Sequence, residues 1–296
     1  MAAQASLTTR NAWAGYLFVA PCLLMIATFF FIPLGMTLWM SLHDWPLFGA
    51  RSFNGLDNYV QLAHDDSFWQ SLLFTTKYTL LVTPALFIAA FILALVVQRP
   101  GRWSGLFRTA YFLPVVIGMS AASLLWVWLY NDQVGVFSAI LMKVGLLDEP
   151  LEWFDTANGA LFSIVAMVTW KMTGFTMVLL LVGMQAIPED LYEAARIDGA
   201  NRWNQLRYIT LPLMRQTFAL ALTVSVIGSY LAFDQFYIMT HGGPQNSTIS
   251  VVYWIYRAAF TYSKVGYASA MSVVLLLILI VMSFVQLYLL RSDDNA

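Results

Sequence analysis

The sequence contains few charged residues for its length. Asp, Glu, Lys and Arg make up 10% of its 296 residues and hydrophobic residues make up 60%, whereas a soluble domain is about a quarter charged. So few charges cannot cover a water-facing surface, which excludes a soluble enzyme and a disordered regulator. The 15 Lys and Arg residues are matched by 16 Asp and Glu residues, so the excess of basic residues that marks a nucleic-acid-binding protein is also missing.

Cysteine and the motifs of catalysis are scarce as well. Cys22 is the only cysteine, so an intrachain disulfide and a cysteine-based metal cluster are impossible. No Gly-Lys dipeptide occurs, which excludes the Walker A phosphate loop of a nucleotide-binding subunit. The three histidines lack metal-ligand spacing, and no Gly-x-Ser-x-Gly sequence is present. We therefore expect no catalytic residue, no metal site and no cofactor on this chain.

Long apolar runs are abundant. A helix needs about 20 mostly apolar residues to cross a bilayer. Six stretches meet that requirement, at about 13–41, 71–98, 107–130, 160–184, 214–238 and 267–290. We predict an all-α polytopic membrane protein with six transmembrane helices, forming one domain over 1–296. Pro33, Pro84 and Pro114 fall inside spans, where each is expected either to bend its helix or simply to pack.

The positive charges indicate which way the spans run. If the N-terminus is cytoplasmic, nine arginines fall on the inner side and four cations on the outer side. The inner group is Arg10, Arg99, Arg102, Arg108, Arg196, Arg202, Arg207, Arg215 and Arg291, and the outer group is Arg51, Lys143, Arg257 and Lys264. Because Lys and Arg collect in cytoplasmic loops, we predict that both termini are cytoplasmic.

The longest inner segment, 187–212, has the pattern of a short and separately capped helix. Pro188 presets the backbone at the start of a helix, and Glu189 and Asp190 place negative charge at the positive end of the helix dipole. Gly199 suits a left-handed helix end. About nine residues lie between these signals, and so short a helix is marginal in water. We therefore expect it to dock onto another surface.

The spacing within this segment resembles the EAA loop of bacterial ABC importer permeases. Glu193-Ala194-Ala195 is followed after three residues by Gly199, and after nine more by Ile209, one residue and Leu211-Pro212. Other runs resemble the carbohydrate-uptake, maltose-type branch of that family. They are Phe107-Arg108-Thr109-Ala110-Tyr111-Phe112-Leu113-Pro114, Phe233-Asp234, and Thr240-His241-Gly242-Gly243-Pro244 followed by Ser247-Thr248. The resemblance extends over about residues 12–290.

The resemblance implies a fold and a docking role. The fold would be that of a type I ABC importer permease in the inner (cytoplasmic) membrane, with a core permease region at 71–290. The short helix would lie in a cleft of an ATPase, where Ala194 and Ala195 permit close approach and Glu193 supplies a charge. A second helix, at about 201–210, would pack beneath the spans. The other coupling residues are Asp198, Gly199, Ile209, Leu211 and Pro212, and the packing residues of the second helix are Trp203, Leu206 and Ile209.

The resemblance also implies partners. They are a second homologous permease, two cytoplasmic ABC ATPase subunits that hold ATP and Mg, an extracytoplasmic solute-binding protein and the membrane lipid, but no nucleic acid. The natural platform for the binding protein is formed by the outer loops between spans one and two and at about 131–159. Loops that only connect spans would have the same sequence features. The second loop contains an apolar segment, Val134 to Val144, that suits a short surface helix.

Candidate solute-pathway residues lie on the spans that flank the EAA loop. In maltose-type permeases these spans carry the substrate contacts, and counting outward from the loop assigns them to seven positions. The positions are Thr169, Met172, Phe175, Ser225, Gly228, Ser229 and Ala232. The last four are spaced i, i+3, i+4, i+7, so they share a helical face. A face of small residues can line a cavity or simply allow close helix packing.

Two ionisable residues at membrane depth complete the candidate pathway. Lys171 lies well inside span four and Asp234 near the outer end of span five, and such residues are costly in lipid. They either hold spans four and five together or attract an anionic solute.

The sequence thus favours an importer for a sugar or sugar-derived solute that works by alternating access. The alternatives are an anionic solute, such as a glycerol-phosphate-like or sulfonated sugar, and an ion-coupled secondary transporter. An ion-coupled transporter would need more buried carboxylates than Asp234 alone and would show inverted repeats. An intramembrane hydrolase would need a serine–histidine pair at membrane depth.

Overall fold

The structure, a computed structural model, describes residues 15–98, 101 and 103–290. Arg10, Arg99, Arg102 and Arg291, on which part of the predicted orientation rests, lie outside the described residues, as does the start of the span predicted at 13–41. The chain divides into two compact units. One contains the residues up to Asp65 with Ile255–Leu277, and the other contains Asp66–Trp254 with the residues from Ile278 onward.

The first unit combines a long helix with a small hairpin. Its elements are α1 (Gly15–Ser41), which includes a π-helical turn at Ala27–Phe31, then β1 (His43–Asp44), β2 (Ser52–Phe53) and α2 (Asp57–Ala63). The strands are antiparallel, with His43 opposite Phe53. Asn58 is buried, and its side-chain amide donates to the carbonyls of Ser41 and His43, each at 2.9 Å. This amide therefore ties α2 to the end of α1 and to the hairpin.

The second unit contains most of the helices. They are α3 (Asp66–Val97), α4 (Ser104–Val116), α5 (Met119–Leu129), α6 (Val136–Lys143), α7 (Ala157–Gln185), α8 (Glu189–Ile197), α9 (Arg202–Leu213), α10 (Arg215–Tyr230) and a π-helical turn, α11 (Phe236–Thr240). The last two helices contribute residues to both units. They are α12 (Val251–Tyr256), which continues as a π-helical turn at Arg257–Thr261, and α13 (Val265–Leu290).

Helix α7 forms the centre of the second unit. It packs against α3, α4 and α10, and Thr156 caps its N-terminus by accepting from the Gly159 amide at 3.1 Å. Two of its glycines allow close approach. A Cβ atom on Gly174 would lie 2.1 Å from the Tyr111 carbonyl oxygen, and one on Gly183 would lie 2.4 Å from the Thr217 hydroxyl. Membrane helices associate through such small residues because lipid gives no hydrophobic drive for association.

The predicted number of spans agrees with the structure. Among the described residues, four helices are long and apolar enough to cross a bilayer without interruption: Gly15–Ser41, Asp66–Val97, Ala157–Gln185 and Val265–Leu289. Two bent pairs meet the same test when their halves are taken together, α4 with α5 at 97° and α9 with α10 at 65°. Each pair counted as one span brings the total to six.

The prediction of one helix at 107–130 is wrong. Helix α4 ends at Val116 and α5 begins at Met119, because Ile117 adopts an extended conformation with ψ 135°. Pro114 lies inside α4 rather than at the break. The apolar run continues through Ile117 and Gly118, so hydropathy alone does not show the interruption.

The span predicted at 214–238 ends earlier in the structure, and a later helix was missed. Helix α10 stops at Tyr230, and the Ala232 carbonyl beyond it accepts from the Ser250 hydroxyl at 2.7 Å. The Ser250 hydroxyl therefore takes the place of the backbone N–H group that would bond to this carbonyl if the helix continued. Helix α12 and its π-helical turn cover 251–261, which is too short for a span and was assigned to an outer loop. The short helices expected at 134–144 and 188–199 are present as α6 and α8.

Candidate functional site

Helix α8 has the ends that its sequence predicts. Pro188 occupies the N-cap with φ −57°, and the first turn carries Glu189 and Asp190 while the last turn carries Arg196. Gly199 adopts φ +80°, a conformation that a Cβ atom disfavours. Charge at both ends matches the helix dipole, so this short helix forms from local signals.

Helix α8 has no buried residue. Leu191 is 43% exposed and Ile197 is 87% exposed, and both are apolar. Glu193 and Arg196 form an ion pair at 3.9 Å with both side chains more than half exposed, an arrangement that contributes little to stability. Ala194 is exposed and Ala195 is half-buried. Within the described ranges, this helix therefore presents an apolar and charged face that the chain itself does not cover.

Tyr192 attaches α8 to the bundle. Tyr192 packs against a core cluster that includes Met184 and Met214, and its hydroxyl hydrogen-bonds to the Thr210 hydroxyl at 2.9 Å. Ile209 packs against the same cluster. The ring and the hydroxyl of Tyr192 thus connect α8 both to the core of the bundle and to α9.

Helix α9 departs in part from its prediction. Asn201 caps its N-terminus by accepting from the Asn204 amide at 2.9 Å. The prediction that Trp203 packs beneath the spans is wrong, because this side chain is 64% exposed, whereas Ile209 of the same helix packs against the core. The remaining coupling residues lie at the ends of α8 and α9. Asp198 closes α8, while Leu211 and Pro212 are exposed near the end of α9.

An open groove of about 980 Å³ lies beside α8. Gln98 at the end of α3, Gln185 at the end of α7, and Arg196, Arg202 and Gln205 line it. The groove and the exposed face of α8 are adjacent, because Glu189 and Tyr192 also line the groove. Together they form a recessed, polar-rimmed surface, which we call the α8 surface.

A second cavity, of about 220 Å³, lies among α3, α5, α7 and α10. Five predicted pathway residues line it together. They are Met172, Phe175, Ser225, Gly228 and Ser229. The remaining wall is mostly apolar, with polar groups from Tyr78, Thr176 and Gln235. An apolar pocket with a few convergent polar groups is the usual form of a small-molecule site.

The polar groups of this cavity are held in place. Gln235 is buried and its side-chain amide donates to the Tyr78 hydroxyl at 3.3 Å, while the Ser229 hydroxyl donates to the Ser225 carbonyl at 2.8 Å. The sequence analysis missed Tyr78 and Gln235. Tyr78 was hidden in an apolar span, and Gln235 could have been noticed because it directly follows Phe233-Asp234.

Four of the nine predicted pathway residues do not line this cavity: Thr169, Lys171, Ala232 and Asp234. Ala232 follows the end of α10, so it does not continue the helical face of Ser225, Gly228 and Ser229. Thr169 does not line the cavity either, and its buried hydroxyl has no hydrogen-bond partner within the part of the chain that the structure describes.

Lys171 and Asp234 do not pair with each other. Lys171 is 4% exposed, and its ammonium donates to the carbonyls of Ile117 at 2.5 Å, Pro114 at 3.3 Å and Val115 at 3.4 Å. Asp234 instead accepts from the Ser120 hydroxyl at 2.9 Å. Lys171 and Asp234 therefore do not link spans four and five through an ion pair. Lys171 instead joins α7 to the end of α4, and Asp234 contacts the first turn of α5.

A bundle of apolar helices with an internal cavity and a separate exposed helix defines a polytopic membrane transport protein. Among the described residues, no group of three His, Cys, Asp or Glu could hold a metal ion. The chain belongs to the family of binding-protein-dependent transport system inner membrane components, whose model matches residues 13–292. It is thus an ABC transporter permease of the inner membrane and a transport component rather than an enzyme.

Named relatives cover nearly the whole chain. The lactose transport system permease protein LacF of Rhizobium radiobacter is 34% identical, with 94% of each chain covered. The trehalose/maltose transport system permease protein MalF of Thermococcus litoralis is also 34% identical, with 95% of this chain and 94% of the relative covered.

Solved structures share the fold. A crystal structure of a bacterial ABC transporter that imports the acidic polysaccharide alginate matches with a TM-score of 0.83 at 20% identity, over 99% of this chain and 100% of that chain. The alginate transporter in complex with an alginate pentasaccharide-bound periplasmic protein matches with a TM-score of 0.80 at 21% identity, over 97% of both chains. At these identities the likeness establishes the ABC importer permease fold alone.

Proposed function

We propose that this chain is the permease subunit of an ATP-driven importer for a sugar or sugar-derived solute. An extracytoplasmic binding protein would deliver the solute, and the bundle would move it by alternating access. The names of LacF and MalF refer to lactose and to trehalose and maltose, which supports a carbohydrate cargo. The alginate transporter that shares this fold forms a complex with a periplasmic protein, which supports delivery by a binding protein.

The α8 surface is the observation that carries the proposal. A nine-residue helix with Ile197 almost fully exposed gains stability when a partner covers it, and a cytoplasmic ATPase subunit is the partner that an ABC permease requires. The coupling residues would be Glu193, Ala194, Ala195, Asp198, Gly199, Ile209, Leu211 and Pro212. A second permease and two ATPase subunits, which hold ATP and Mg, would complete the importer.

The orientation follows from the same assignment. If α8 faces the cytoplasm, so do the nearby ends of α3, α7 and α13. The C-terminal end of α13 lies at this side because the Arg215 guanidinium, at the start of α10, donates to the Leu289 carbonyl at 3.0 Å. A cytoplasmic C-terminus agrees with the distribution of Lys and Arg in the sequence.

The 220 Å³ cavity would form part of the solute pathway. Phe175 could stack on a sugar ring, and the serine face of α10 could supply hydrogen bonds. An anionic cargo is the second candidate, because the polysaccharide of the alginate transporter is acidic. We favour an uncharged sugar because the Lys171 ammonium already contacts three carbonyls at the α4–α5 break, so it has no donor left for an anion.

Co-purification tests the ATPase-docking role. Replacing Ile197 by Asp should abolish recovery of the ATPase subunit with an affinity-tagged permease, while the amount of permease in the membrane stays unchanged because this side chain is 87% exposed. The matched control is Val134→Asp, since Val134 is 83% exposed and lies just before α6. Full recovery of the ATPase with Ile197→Asp would refute the assignment.

A further inference from the structure

The break between α4 and α5 lies against the buried Lys171 of α7, although Val116 and Ile117 are themselves exposed on the outside of the helices. A helix end leaves up to four carbonyls without a helical partner, and no water is available in a bilayer core to satisfy them. Lys171 lies at this point on α7, with its ammonium within 3.4 Å of three carbonyls of residues 114, 115 and 117. An ammonium carries three donors, so its hydrogen-bonding capacity matches the carbonyls at the end of α4.

The other side of the break has the opposite charge. Ser120 is the second residue of α5, and its hydroxyl donates to the Asp234 carboxylate at 2.9 Å. A cation therefore lies at the C-terminal end of α4 and an anion beside the N-terminal turn of α5, which is the arrangement that both helix dipoles favour. Lys171 and Asp234 come from separate elements, so the break is fixed from two directions.

The break also forms part of the cavity wall. Met119, the first residue of α5, lines the cavity, and so does Met172, which adjoins Lys171. Lys171 itself does not line the cavity. A change in the position of the α4 end relative to α7 would thus move Met119 in the cavity wall, although the residue that holds this end lies outside the cavity.

We infer that Lys171 is a positioning residue for transport, whose ammonium fixes the α4–α5 break and thereby the position of Met119 in the cavity wall. Only the expected effect on solute affinity rests on the proposed function. The position of Met119 itself can be tested without any solute.

Thiol labelling gives the test that is independent of transport. In a chain with Cys22→Ser and Met119→Cys, a water-soluble methanethiosulfonate reagent modifies the thiol at position 119. The rate of modification measures how accessible this position of the cavity wall is. Lys171→Met should raise this rate at least about fivefold, and Lys171→Arg, which keeps a charged donor, should restore most of the original rate. The control is Lys77→Met, because Lys77 is an exposed lysine of α3 and should leave the rate unchanged.

Uptake by the assembled importer in proteoliposomes gives the second readout. This assay uses Lys171→Met with Cys22 and Met119 intact. The KM for a radiolabelled disaccharide should rise about tenfold, which corresponds to the loss of one charge-assisted hydrogen bond between Lys171 and the α4 carbonyls. The kcat should change less than about twofold. A wild-type importer that moves no sugar would refute the proposed function but not the labelling result. An unchanged labelling rate in Lys171→Met would overturn the inference.

A milder variant covers the case in which Lys171→Met fails to fold. Ser120→Ala removes the hydrogen bond on the other side of the break and leaves the buried cation satisfied. It should raise Met119→Cys labelling about twofold to threefold, and a wild-type rate in this variant would also overturn the inference.

Discussion

Gly174 on α7 allows the contact between α7 and α4 to be perturbed by one methyl group. A Cβ atom at this position would lie 2.1 Å from the Tyr111 carbonyl oxygen and 2.8 Å from the Phe112 Cα atom. Both are backbone atoms of α4, so no side-chain rotation relieves the clash. We predict that Gly174→Ala forces the two helices apart and destabilises the permease.

The magnitude follows from the geometry. Ordinary contact begins near 3.4 Å, so α4 must move away from α7 by about 1.3 Å. A movement of this size would also stretch the hydrogen bonds that Lys171 makes to Pro114 and Val115, which are already 3.3 and 3.4 Å long. Overpacking of this kind costs about 1–3 kcal/mol, which corresponds to a fall in Tm of roughly 2–5 °C for a chain of this size.

Thermal unfolding of the detergent-solubilised permease, followed by tryptophan fluorescence, measures this effect. Gly228→Ala is the matched control, because Gly228 also lies within a helix of the second unit but has no atom within 4 Å of an added Cβ. Alanine is the better helix former by up to about 1 kcal/mol, so the control should hold or raise Tm. A Tm for Gly174→Ala equal to that of the control would refute the close approach of α4 and α7.

Three further predictions follow from the two candidate sites and the helix ends. Gly228→Ala adds a methyl group to the 220 Å³ cavity, so the KM for sugar uptake should rise although Tm does not fall; an unchanged KM would place the solute elsewhere. Tyr192→Phe removes the hydrogen bond to Thr210 and should lower sugar transported per ATP hydrolysed while the ATPase still co-purifies, whereas Tyr208→Phe, at a ring 68% exposed, should have no effect. Arg108→Met removes a guanidinium donor at 2.8 Å from the Val97 carbonyl and should lower Tm by the equivalent of about 1.5–3 kcal/mol; a Tm within 1 °C of wild type would contradict this capping role.

Local signals in the sequence predicted the long helices and α8. Helices α3 and α7 could be found because each is one continuous apolar run. The end of α8 could be found because Gly199 adopts φ +80°, a conformation that glycine reaches without steric clash. Helical spacing predicted that Ser225, Gly228 and Ser229 share a face, whereas the grouping of Phe175 with them was implied by the family resemblance, counted outward from the EAA loop.

The features that sequence reasoning missed depend on contacts between distant residues. The break at Ile117 is stabilised by Lys171, 54 residues away, so hydropathy in the window around Ile117 contains no sign of it. Asp234 contacts Ser120, 114 residues away. The residue types did show that Lys171 and Asp234 were unusual at membrane depth, but their partners turned out to be a backbone and a hydroxyl rather than each other.

Sugar uptake into proteoliposomes, with and without ATPase subunits, tests the central claim most directly. The complete importer, supplied with binding protein and radiolabelled sugar on one side and ATP on the side of α8, should accumulate sugar. The permeases alone should accumulate none, and Ile197→Asp should abolish accumulation in the complete system. Accumulation by the permeases without an ATP-hydrolysing subunit would contradict the account, because transport would then not depend on an ATPase bound at α8.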